Sequence, residues 1–581
     1  MTKVAEINLY LEEVSDGLAQ SVAHLWTKWD VQRQTKKDEW LELRNFLFAT
    51  DTSTTTNNTL PWKNKTTIPK LAQVRDNLHA NYMSALFPDD DWLVWEGYNL
   101  EDEVNTKKKA ITAYISNKTR QNRFPEIISK LVLDYIDYGN CFVDLDYRHE
   151  VNTDEEGDEY TLYSGPVIRR VSPLDIVFDC TARSFEESPN IERRLVGLGE
   201  LKLMAEENPD MDYLAEVIPK LEETRSQLGS HKVEDLEKSQ AYQVDGFGNL
   251  HEYLQSNFVE MLVAEGTFHD PDTGDMLKNC RIVVFDRMFT GYKEPIKSWT
   301  GKSYKRHVAW RQRPDNLWGM GPLDNLIGMQ YRIDHLENLK ADVFDLIAFP
   351  PLVIKGEVEE FEWGPNEEIH IISEDGSVEM LRPEAMALNA DTQVALLEAK
   401  IEEFAGAPRD AMGIRTPGEK TAEEVRMLQS SASTIFQHKI KSFEQNLLEP
   451  VLNGMLEISR RNLDGTDVVR VMDDDLGVAD FLNITKEDLT AKGVIRPVGA
   501  RHFTQRAGML SDINGILGGP MGQLVAPHMS GKVLAKLVED ALGLARYGLV
   551  MPHAGLYEEA ETQQVMQEIQ QVGMEQNAQP I

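Results

Sequence analysis

The segment 413–421 has the residue types of a phosphate-binding loop but not the spacing of one. Gly413, Gly418, Lys420 and Thr421 approach the pattern G-x-x-x-x-G-K-[ST], in which backbone N–H groups and the lysine surround the phosphates of a nucleotide. Glu419 separates the second glycine from the lysine, and the residues before the loop are typical of a helix. The spacing therefore favours a loop that enters a helix, with nucleotide binding as the alternative.

Three acidic clusters contain the ligands that divalent cations use. Asp89–Asp91 and Asp473–Asp475 are runs of consecutive residues, whose side chains point in different directions and do not converge on the two ions of a nuclease. Asp270–Asp275 has the acidic spacing of a calcium loop, but its glycine is misplaced and the glutamate at position twelve is missing. We expect solvated turns at both triplets and a hairpin tip at 270–275.

The sequence contains no motif for a disulfide framework, a zinc site or a serine nucleophile. The three cysteines (Cys141, Cys180 and Cys280) lie far apart without a C-x-x-C pair, and the 13 histidines show no H-E-x-x-H spacing. No serine lies in a G-x-S-x-G setting. The sequence therefore predicts no cofactor, no metal and no catalytic residue.

Basic and aromatic residues alternate between positions 292 and 313. The basic residues are Lys293, Lys297, Lys302, Lys305, Arg306, Arg311 and Arg313, and the aromatic residues are Tyr292, Trp299, Tyr304 and Trp310. Such a mixture can bind single-stranded nucleic acid by stacking and charge. It also occurs in a hairpin whose cations pair with acidic neighbours, and this second interpretation is favoured in so acidic a chain.

The net charge argues against a protein that coats DNA. The 581 residues include 60 Lys and Arg against 96 Asp and Glu, a formal charge of −36, whereas affinity for phosphates comes from cations. Hydrophobic residues make up 41%, which is typical of a folded protein of two to four domains. The first residues do not form a signal peptide, and the longest uncharged run, Gly515–Gly531, is too rich in Gly and Pro for a membrane helix.

Hydrophobic periodicity predicts an α+β fold that is mainly helical. Apolar residues at helical spacing predict helices over the first 50 residues, 68–87, 104–121 and 125–138. Alternating residues predict strands at 141–147, 160–171, 258–263 and 281–288.

Two helices on either side of a small β segment occupy the middle of the chain. The first runs from Gly321 to Phe349 and ends at two prolines; the second covers Asp391–Phe404. The apolar seam predicted for the first helix consists of Leu326, Met329, Ile333, Leu336, Val343 and Ile347. Between the helices, a turn at Glu374–Ser377 predicts a hairpin that joins Ile369–Ile372 to Val378–Leu381.

A loop at 405–420 precedes the longest predicted helix. That helix begins at the capping box Thr421–Glu424 and continues to Arg461. We expect a kink near Asn446, because Pro450 has no N–H for the carbonyl of Asn446 and its ring collides with that carbonyl.

This order of elements resembles the portal, or head-to-tail connector, protein of tailed double-stranded DNA phages, and is nearest to the portals of short-tailed phages. Trp318–Pro322 (W-G-M-G-P) resembles the turn that opens the first stem helix of that family, and Met329–Asn338 resembles the stem helix itself. Ile414–Val425 resembles the T-G-E-x-x-T-A-x-E run, and Pro166–Asp179 resembles the strand pair of the wing. The resemblance begins at about Trp62 and is strongest over 318–460.

The resemblance implies a subunit that closes into a ring, usually of twelve copies, at one vertex of the capsid. It divides the chain into an N-terminal wing (1–320), stem helices (321–349 and 387–404), a clip (350–386), a tunnel loop (405–420), a long kinked wing helix with return strands (421–500) and a helical crown and tail (501–581). The residues implied to line the channel at the tunnel loop are Arg409, Met412, Arg415 and Lys420, and those of the clip are Val353, Ile371 and Val378.

The function implied is that of a structural channel and not of an enzyme. Double-stranded DNA would be packaged and ejected through the ring, which would be assembled in the host cytoplasm and remain in the virion without contact to a membrane. The partners implied are the major capsid protein, the packaging ATPase (terminase), a tail adaptor and a scaffold or inner core protein. Arg409 and Arg415 would contact DNA phosphates transiently or pair with neighbouring subunits. The alternatives are a nucleotide- or metal-dependent nucleic-acid enzyme and another head-to-tail connector.

Overall fold

A computed structural model describes the chain in segments. The described residues are 16–48, 63–87, 92–98, 105–153, 159–207, 212–228, 258–357, 359, 369–372, 374–381, 390–405, 436–463, 466–472, 479–490 and 492–497. They form two compact units, one drawn from 1–83 with 122–458 and the other from 84–121 with 459–581.

The described residues form an α+β structure, which confirms the predicted fold class. The helices are α1 (Gly17–Gln32), α2 (Gln34–Phe48), α3 (Lys70–Leu86), α4 (Asn105–Gln121), α5 (Phe124–Asp137), α6 (Leu198–Glu207), α7 (Asp212–Leu228), α8 (Ile327–Ala348), α9 (Asp391–Phe404), α10 (Glu449–Asn462) and α11 (Lys486–Leu489). The strands are β1 (Leu93–Gly97), β2 (Asn140–Thr153), β3 (Glu159–Val171), β4 (Ile176–Phe178), β5 (Asn190–Gly197), β6 (Phe258–His269), β7 (Met276–Phe285), β8 (Phe289–Pro295), β9 (Arg306–Ala309), β10 (Arg311–Arg313), β11 (Asn316–Met320), β12 (Leu352–Lys355), β13 (Ser377–Met380), β14 (Thr466–Met472), β15 (Ala479–Thr485) and β16 (Gly493–Pro497).

A five-stranded antiparallel sheet, in the order β4-β5-β6-β7-β8, forms one core of the first unit. Successive side chains of a strand point to opposite faces. Leu262 and Ile282 pack against α1 on one face, and Val263 and Val283 pack against α6 and α7 on the other. Because both faces are covered, Met261–Ala264 of β6 and Ile282–Phe285 of β7 are continuous apolar runs, whereas charged residues lie elsewhere on these strands.

The predicted helix over the first 50 residues is divided at Arg33, which lies between α1 and α2. Its guanidinium is buried and donates to the carbonyls of Pro173, Leu174 and Ile176 at 2.5, 2.7 and 2.8 Å. These three carbonyls lie far along the chain, so the local helical pattern contains no sign of this break.

The hairpin of β2 and β3, extended by β9, forms a three-stranded sheet that packs on an aromatic core. His307 of β9 is stacked on Phe142, with ring centroids 4.5 Å apart, and its Nε2 lies 3.1 Å from Oδ1 of Asn140. Burial lowers the pKa of His307 to about 3. The imidazole is therefore neutral in the folded protein.

The neutral state of His307 predicts a loss of stability in mild acid. An unfolded histidine takes up a proton below about pH 6.5, whereas the folded one does so only near pH 3, so its contribution falls as the pH decreases between these values. At pH 5 the loss should be about 2 kcal/mol. In urea unfolding at pH 7 and pH 5, His307→Gln should lose about 2 kcal/mol less than the natural chain over this interval. An identical pH dependence of both chains would show that His307 is not neutral in the fold.

The second unit contains two strand pairs and the helix α4. β1 pairs with β16 and β14 pairs with β15, both antiparallel. Trp95 of β1 is fully buried, and the guanidinium of Arg460 lies 6.0 Å from its ring centroid. The strands β14 and β15 follow α10 in the chain.

The long helix contains an irregular turn near Asn446, where a kink is predicted. Residues 436–443 are helical, Glu444–Leu448 form a π-helical turn, and α10 follows from Glu449. A π turn lengthens the hydrogen-bonded loop by one residue, so it accommodates the missing N–H of Pro450. The capping box and the first part of this predicted helix lie outside the described residues.

The predicted clip hairpin is wrong in its pairing. β13 pairs with β12, with Leu352 opposite Met380 and Ile354 opposite Val378, and not with Ile369–Ile372. Ile369–Ile372 instead contacts Glu357 and Glu359, through hydrogen bonds from Ile372 N to Glu357 O and from Glu359 N to His370 O. The local turn at 374–375 exists, but the strand that completes the pair lies directly after Pro350–Pro351, more than twenty residues earlier.

Candidate functional site: the helix pair α8 and α9

Exposed apolar side chains are concentrated on α8, α9 and the strands between them. Among the described residues nineteen large hydrophobic side chains are exposed, and ten of these lie between positions 344 and 404. We call these ten the exposed apolar set: Phe344, Leu346, Phe349, Ile354, Ile371, Ile372, Met380, Leu381, Leu396 and Phe404. A monomeric protein rarely exposes so many large apolar side chains in one segment, and such sets are typical of interaction surfaces.

The other faces of both helices are fixed within the first unit. Lys340 of α8 contacts Asp391 at the start of α9 at 2.6 Å, and Glu402 near the end of α9 contacts Lys70 of α3 at 2.5 Å. Lys70 and Glu402 are both buried. Since Leu71 N in turn donates to Gln330 near the start of α8, α9 runs back along α8. These contacts anchor α8 and α9, which carry Phe344, Leu346, Leu396 and Phe404 of the exposed apolar set.

A polar stripe on α8 binds the extended segment 63–71. Gln330, Asp334, Asn338 and Asp342 are spaced by four residues and so lie on one face of the helix. We call these four residues the polar stripe.

Each member of the polar stripe bonds to the backbone of the segment. Asn338 accepts from Thr66 N at 2.8 Å and donates to Thr66 O at 2.9 Å. Asp334 accepts from Ile68 N at 3.0 Å, and Asp342 accepts from the N–H groups of Lys63 and Asn64 at 3.0 Å each. These bonds replace the strand partner that segment 63–68 would otherwise need.

The stripe is buried at its centre. Gln330, Asp334 and Asn338 are at most 2% exposed. Partial burial would raise the pKa of Asp342, but the bonds that it accepts from Asn64 and Lys63 lower it below its ordinary value. The apolar seam of α8 does not predict this contact; its only sign in the sequence is a polar residue at every fourth position.

Removing one member of the stripe should release the segment. Asn338→Ala deletes both bonds to Thr66 within a buried contact, and we expect a loss of about 1–3 kcal/mol in the free energy of unfolding. Hydrogen exchange at the amides of Thr66 and Ile68 should accelerate in the same variant. Arg332→Ala, an exposed position of the same helix, is the matched control and should change neither quantity. Unchanged exchange at both amides in Asn338→Ala would contradict the role of the stripe.

The residues of the predicted apolar seam divide into two groups. Leu326, Ile333 and Leu336 are buried, whereas Met329, Val343 and Ile347 are only partly buried. The helix also begins later than predicted, with a 3-10 turn at Asp324–Leu326 after Gly321 and Pro322. Trp318 and Gly319 belong to β11, where a Cβ on Gly319 would lie 2.7 Å from that of Ala309.

The remaining predicted site residues lie in two places. Val353 and Val378 are partly buried on β12 and β13, and Ile371 is an exposed residue beside them. Arg409, Met412, Arg415 and Lys420 lie outside the described residues, as do the phosphate-loop-like segment and both aspartate triplets.

The basic and aromatic stretch is a set of ion pairs, as the second of its two interpretations predicted. Its pairs are Lys293–Asp270, Lys297–Glu294, Lys302–Glu187, Lys305–Glu192, Lys305–Glu265, Arg306–Glu186 and Arg313–Asp315. The guanidinium of Arg311 lies over the ring of Trp310 at 5.2 Å. The cations of this stretch therefore neutralise the chain's own carboxylates.

The segment 270–275 is the tip of the β6–β7 hairpin, as predicted. Asp270 contacts Lys293 and accepts from Asp272 N at 3.0 Å, and Asp272 accepts from Leu18 N at 3.1 Å. Both carboxylates thus bind groups of the protein, and Asp272 caps the first turn of α1. In the part of the chain that the structure describes, no group of three or more His, Cys, Asp or Glu side chains is arranged to hold a metal ion.

A cleft of about 320 Å³ between α2, α5 and the end of β3 contains two further pairs of opposite charge. The guanidinium of Arg75 donates to both carboxylate oxygens of Asp137 at 2.6 and 2.7 Å. That of Arg170 donates to both carboxylate oxygens of Asp134 at 2.5 and 2.6 Å. Burial raises the pKa of Asp134 to about 6, although Arg170 opposes this shift. Because each carboxylate is bound by an arginine, we interpret these pairs as ionic contacts that join α5 to α3 and to β3.

Comparison with known proteins identifies no relative of this chain. Neither a scan against protein-family models nor a search of curated proteins found a match. Over the residues that the structure describes, the helices are too short or too polar for any of them to cross a membrane.

Proposed function

We propose that the chain is the subunit of a ring-shaped portal at one capsid vertex, through which double-stranded DNA is packaged and ejected. It is a structural component of the virion, and it binds the packaging ATPase and then a tail adaptor at the hairpin between the two helices. Its further partners are the major capsid protein and a scaffold or inner core protein. The α+β fold and the order of the described elements support this proposal.

The exposed apolar set is the main observation that supports this proposal. The ten residues fall within the segment that resembles the stem and clip, where a ring subunit meets its neighbours. Each fully buried large apolar side chain contributes about 1.5–3 kcal/mol, so covering the set provides ample free energy for association. A second copy of the chain is the occupant that would cover it.

The two helices offer the asymmetry that a ring needs. A head-to-tail contact joins two different surfaces, and it closes into a ring when the rotation between copies is right. Phe344 and Phe349 at the end of α8 differ from Leu396 and Phe404 on α9. One helix of a subunit can therefore pack against the other helix of its neighbour.

The acidic charge agrees with a conduit and disagrees with a stable DNA binder. Twelve copies at −36 each carry about −430 in total, which repels phosphates over a screening distance of about 8–10 Å. Repulsion from the wall prevents a moving duplex from adhering to it. The nucleotide-binding alternative rests on 413–421, which lies outside the described residues.

Particle mass and enzyme assays together test the proposal. Purified protein, alone or with coat and scaffold components, should sediment as a particle of roughly 0.8 MDa, twelve copies of the 66.0 kDa chain. Negative-stain images should show rings, and neither ATP hydrolysis nor DNA cleavage should be detectable. Monomers under all these conditions, or a turnover number typical of an enzyme, would overturn it.

The tunnel loop provides a separate prediction. Arg409→Ala with Arg415→Ala should leave rings intact but reduce the amount of DNA packaged or retained, because two sequence-independent phosphate contacts are lost from each subunit. Lys220→Ala with Lys278→Ala removes the same charge from two exposed positions elsewhere and is the matched control. If the tunnel-loop variant packages DNA normally, the two arginines do not contact DNA; if its rings dissociate, they pair with neighbouring subunits.

A further inference from the structure

The cleft between α2, α5 and the end of β3 contains arginine N–H groups that the fold itself does not use. Arg75 binds Asp137 through Nε and Nη2, and Arg170 binds Asp134 through the same two atoms. Nη1 of Arg75 lies 3.6 Å from the exposed carboxylate of Asp76, which is too far for a hydrogen bond. Nη1 of Arg170 has no partner among the described residues, and 36% of this side chain is exposed. Each arginine therefore keeps one NH2 group for a further acceptor.

Two hydroxyl groups line the same cleft. The hydroxyl of Tyr138 has no hydrogen-bond partner in the described part of the chain. Burial raises the pKa of Tyr138 to about 12, so this hydroxyl keeps its proton and can donate. The hydroxyl of Ser172 accepts from Leu174 N at 3.3 Å, and within the described segments its own hydrogen has no acceptor. Both hydroxyls can thus donate to a molecule in the cleft.

The cleft also has an apolar wall. Trp40, Leu43 and Leu47 follow one another at helical spacing on α2, and Phe48 at the end of this helix is 43% exposed. The guanidinium of Arg75 lies 5.4 Å from the ring centroid of Phe48, so charged and apolar surfaces meet within the cleft. Small-molecule sites of about 300 Å³ or more are typically apolar with a few convergent polar groups, and this cleft of about 320 Å³ has that composition.

The charge of the lining favours an anionic ligand. Four cationic side chains and three carboxylates line the cleft, although the whole chain carries −36. Each of the three carboxylates is bound by an arginine. The groups left unused are therefore donors, and a planar carboxylate matches the N–H groups of a guanidinium. The cations are Arg44, Arg75, Lys130 and Arg170, and the carboxylates are Asp134, Asp137 and Asp175.

We propose that this cleft binds a small molecule that has a carboxylate at one end and an aromatic body. The carboxylate accepts from the unused arginine N–H groups and from the hydroxyl of Tyr138. The aromatic body packs against Leu47 and Phe48. None of the residues that line the cleft belongs to the exposed apolar set, so this site does not depend on the proposed ring.

Saturation-transfer difference NMR with the full chain tests the proposal, because it observes the ligand and works for a protein of any size. The probe is 3-phenylpropanoate. Its amide, 3-phenylpropanamide, has the same shape without the charge; acetate has the charge without the ring; and inorganic phosphate tests general binding of anions. At neutral pH and about 0.15 M salt, the probe should bind at least about tenfold more tightly than each of the other three compounds.

Two substitutions locate the probe without breaking an ion pair. Tyr138→Phe deletes only a hydroxyl that has no partner among the described residues, and it should weaken binding about threefold to tenfold. Phe48→Ser removes an exposed ring and should weaken binding about tenfold. The matched controls are Tyr213→Phe, at a half-buried tyrosine outside the cleft, and Leu203→Ser, at an exposed apolar residue; both should bind normally. Circular dichroism checks that all four variants are folded.

Several results would overturn the proposal. Equal binding of the probe and its amide would mean that the carboxylate is not recognised, and equal binding of acetate or phosphate would reduce the cleft to a site for simple ions. Unchanged affinity in both Tyr138→Phe and Phe48→Ser would place the probe elsewhere on the protein. Absence of binding by the probe at concentrations up to about 10 mM would exclude this class of ligand.

Discussion

A chain that carries Phe344→Glu and Leu396→Glu should remain a folded monomer under conditions in which the natural chain assembles. The two residues are 63% and 56% exposed and lie on α8 and α9, so the subunit itself tolerates a charge at both. Within an assembly each would place a carboxylate in an apolar contact, which requires burying an unpaired charge.

The expected weakening is large because every subunit contact of the proposed ring would contain both positions. Loss of two apolar side chains costs roughly 3–6 kcal/mol for each contact, or about two to four powers of ten in the association constant. Sedimentation velocity at a fixed protein concentration measures the effect, with circular dichroism as the check on folding. This prediction rests on the proposed function.

The matched control changes two apolar residues of equal exposure at other positions. Leu203 and Met276 are each 57% exposed on α6 and β7, and Leu203→Glu with Met276→Glu should assemble as the natural chain does. If the control also fails to assemble, the effect of Phe344 and Leu396 reflects added charge and not a specific surface. Normal assembly of the Phe344 and Leu396 variant would exclude the two helices as the contact.

Lys305→Met should destabilise the first unit by about 1.5–3 kcal/mol at neutral pH, because Glu192 keeps Arg169 and Arg194, and Glu265 keeps Arg281. The Lys305 side chain is fully buried, and its Nζ lies 3.4 Å from Oε2 of Glu192 and 3.4 Å from Oε2 of Glu265. Burial by itself would raise the pKa of both carboxyls. The neighbouring cations, Lys305 first among them, instead hold the pKa of Glu192 well below its ordinary value and lower that of Glu265 to about 2.

The sign of the pH dependence follows from these two lowered pKa values. The stabilisation is fully present above about pH 4.5, where unfolded glutamate is ionised, and it is lost as the pH falls toward 2. The difference in unfolding free energy between Lys305→Met and the natural chain should therefore be largest at pH 7 and smaller at pH 4. Urea unfolding at both pH values measures it.

Two further variants complete the experiment. Lys302→Met removes a half-exposed lysine whose nearest carboxylate, Glu187, is 3.9 Å away, and should cost less than about 1 kcal/mol. Lys305→Met with Glu265→Gln removes one of the two buried carboxylates that lose a cation, and should recover part of the loss. Equal stability of Lys302→Met and Lys305→Met would show that the buried cluster does not hold the sheet together.

Sequence reasoning succeeded where the signal is local. The helices α3, α4, α5 and α9 lie within a few residues of their predicted bounds, because an apolar period and a stop residue are both present within the segment itself. The π turn before Pro450 is equally local, since a missing N–H affects the carbonyl four residues earlier. The tip at 270–275 was recognised as a turn for the same reason.

Sequence reasoning failed where the partner is distant. The strand that pairs with β13 is β12 and not the nearer Ile369–Ile372. Which strand pairs with β13 depends on contacts with residues more than twenty positions away, and the residues around the turn do not contain this information. The polar stripe of α8 was missed because its partner, the backbone of 63–71, is more than 250 residues away.

What the sequence by itself determined is the kind of each element, the acidity of the chain and the absence of a recognised catalytic motif. Periodicity, stop residues and charge are properties of neighbouring residues, and they need no tertiary contact to exist. The tertiary structure alone decided that Lys305 is buried between two glutamates, that α8 binds a distant extended segment through polar side chains, and that ten apolar residues around α8 and α9 are exposed among the described residues. Each of these facts depends on which distant segments of the chain come together. The free energy of packing the whole unit determines this pairing, and no local pattern does.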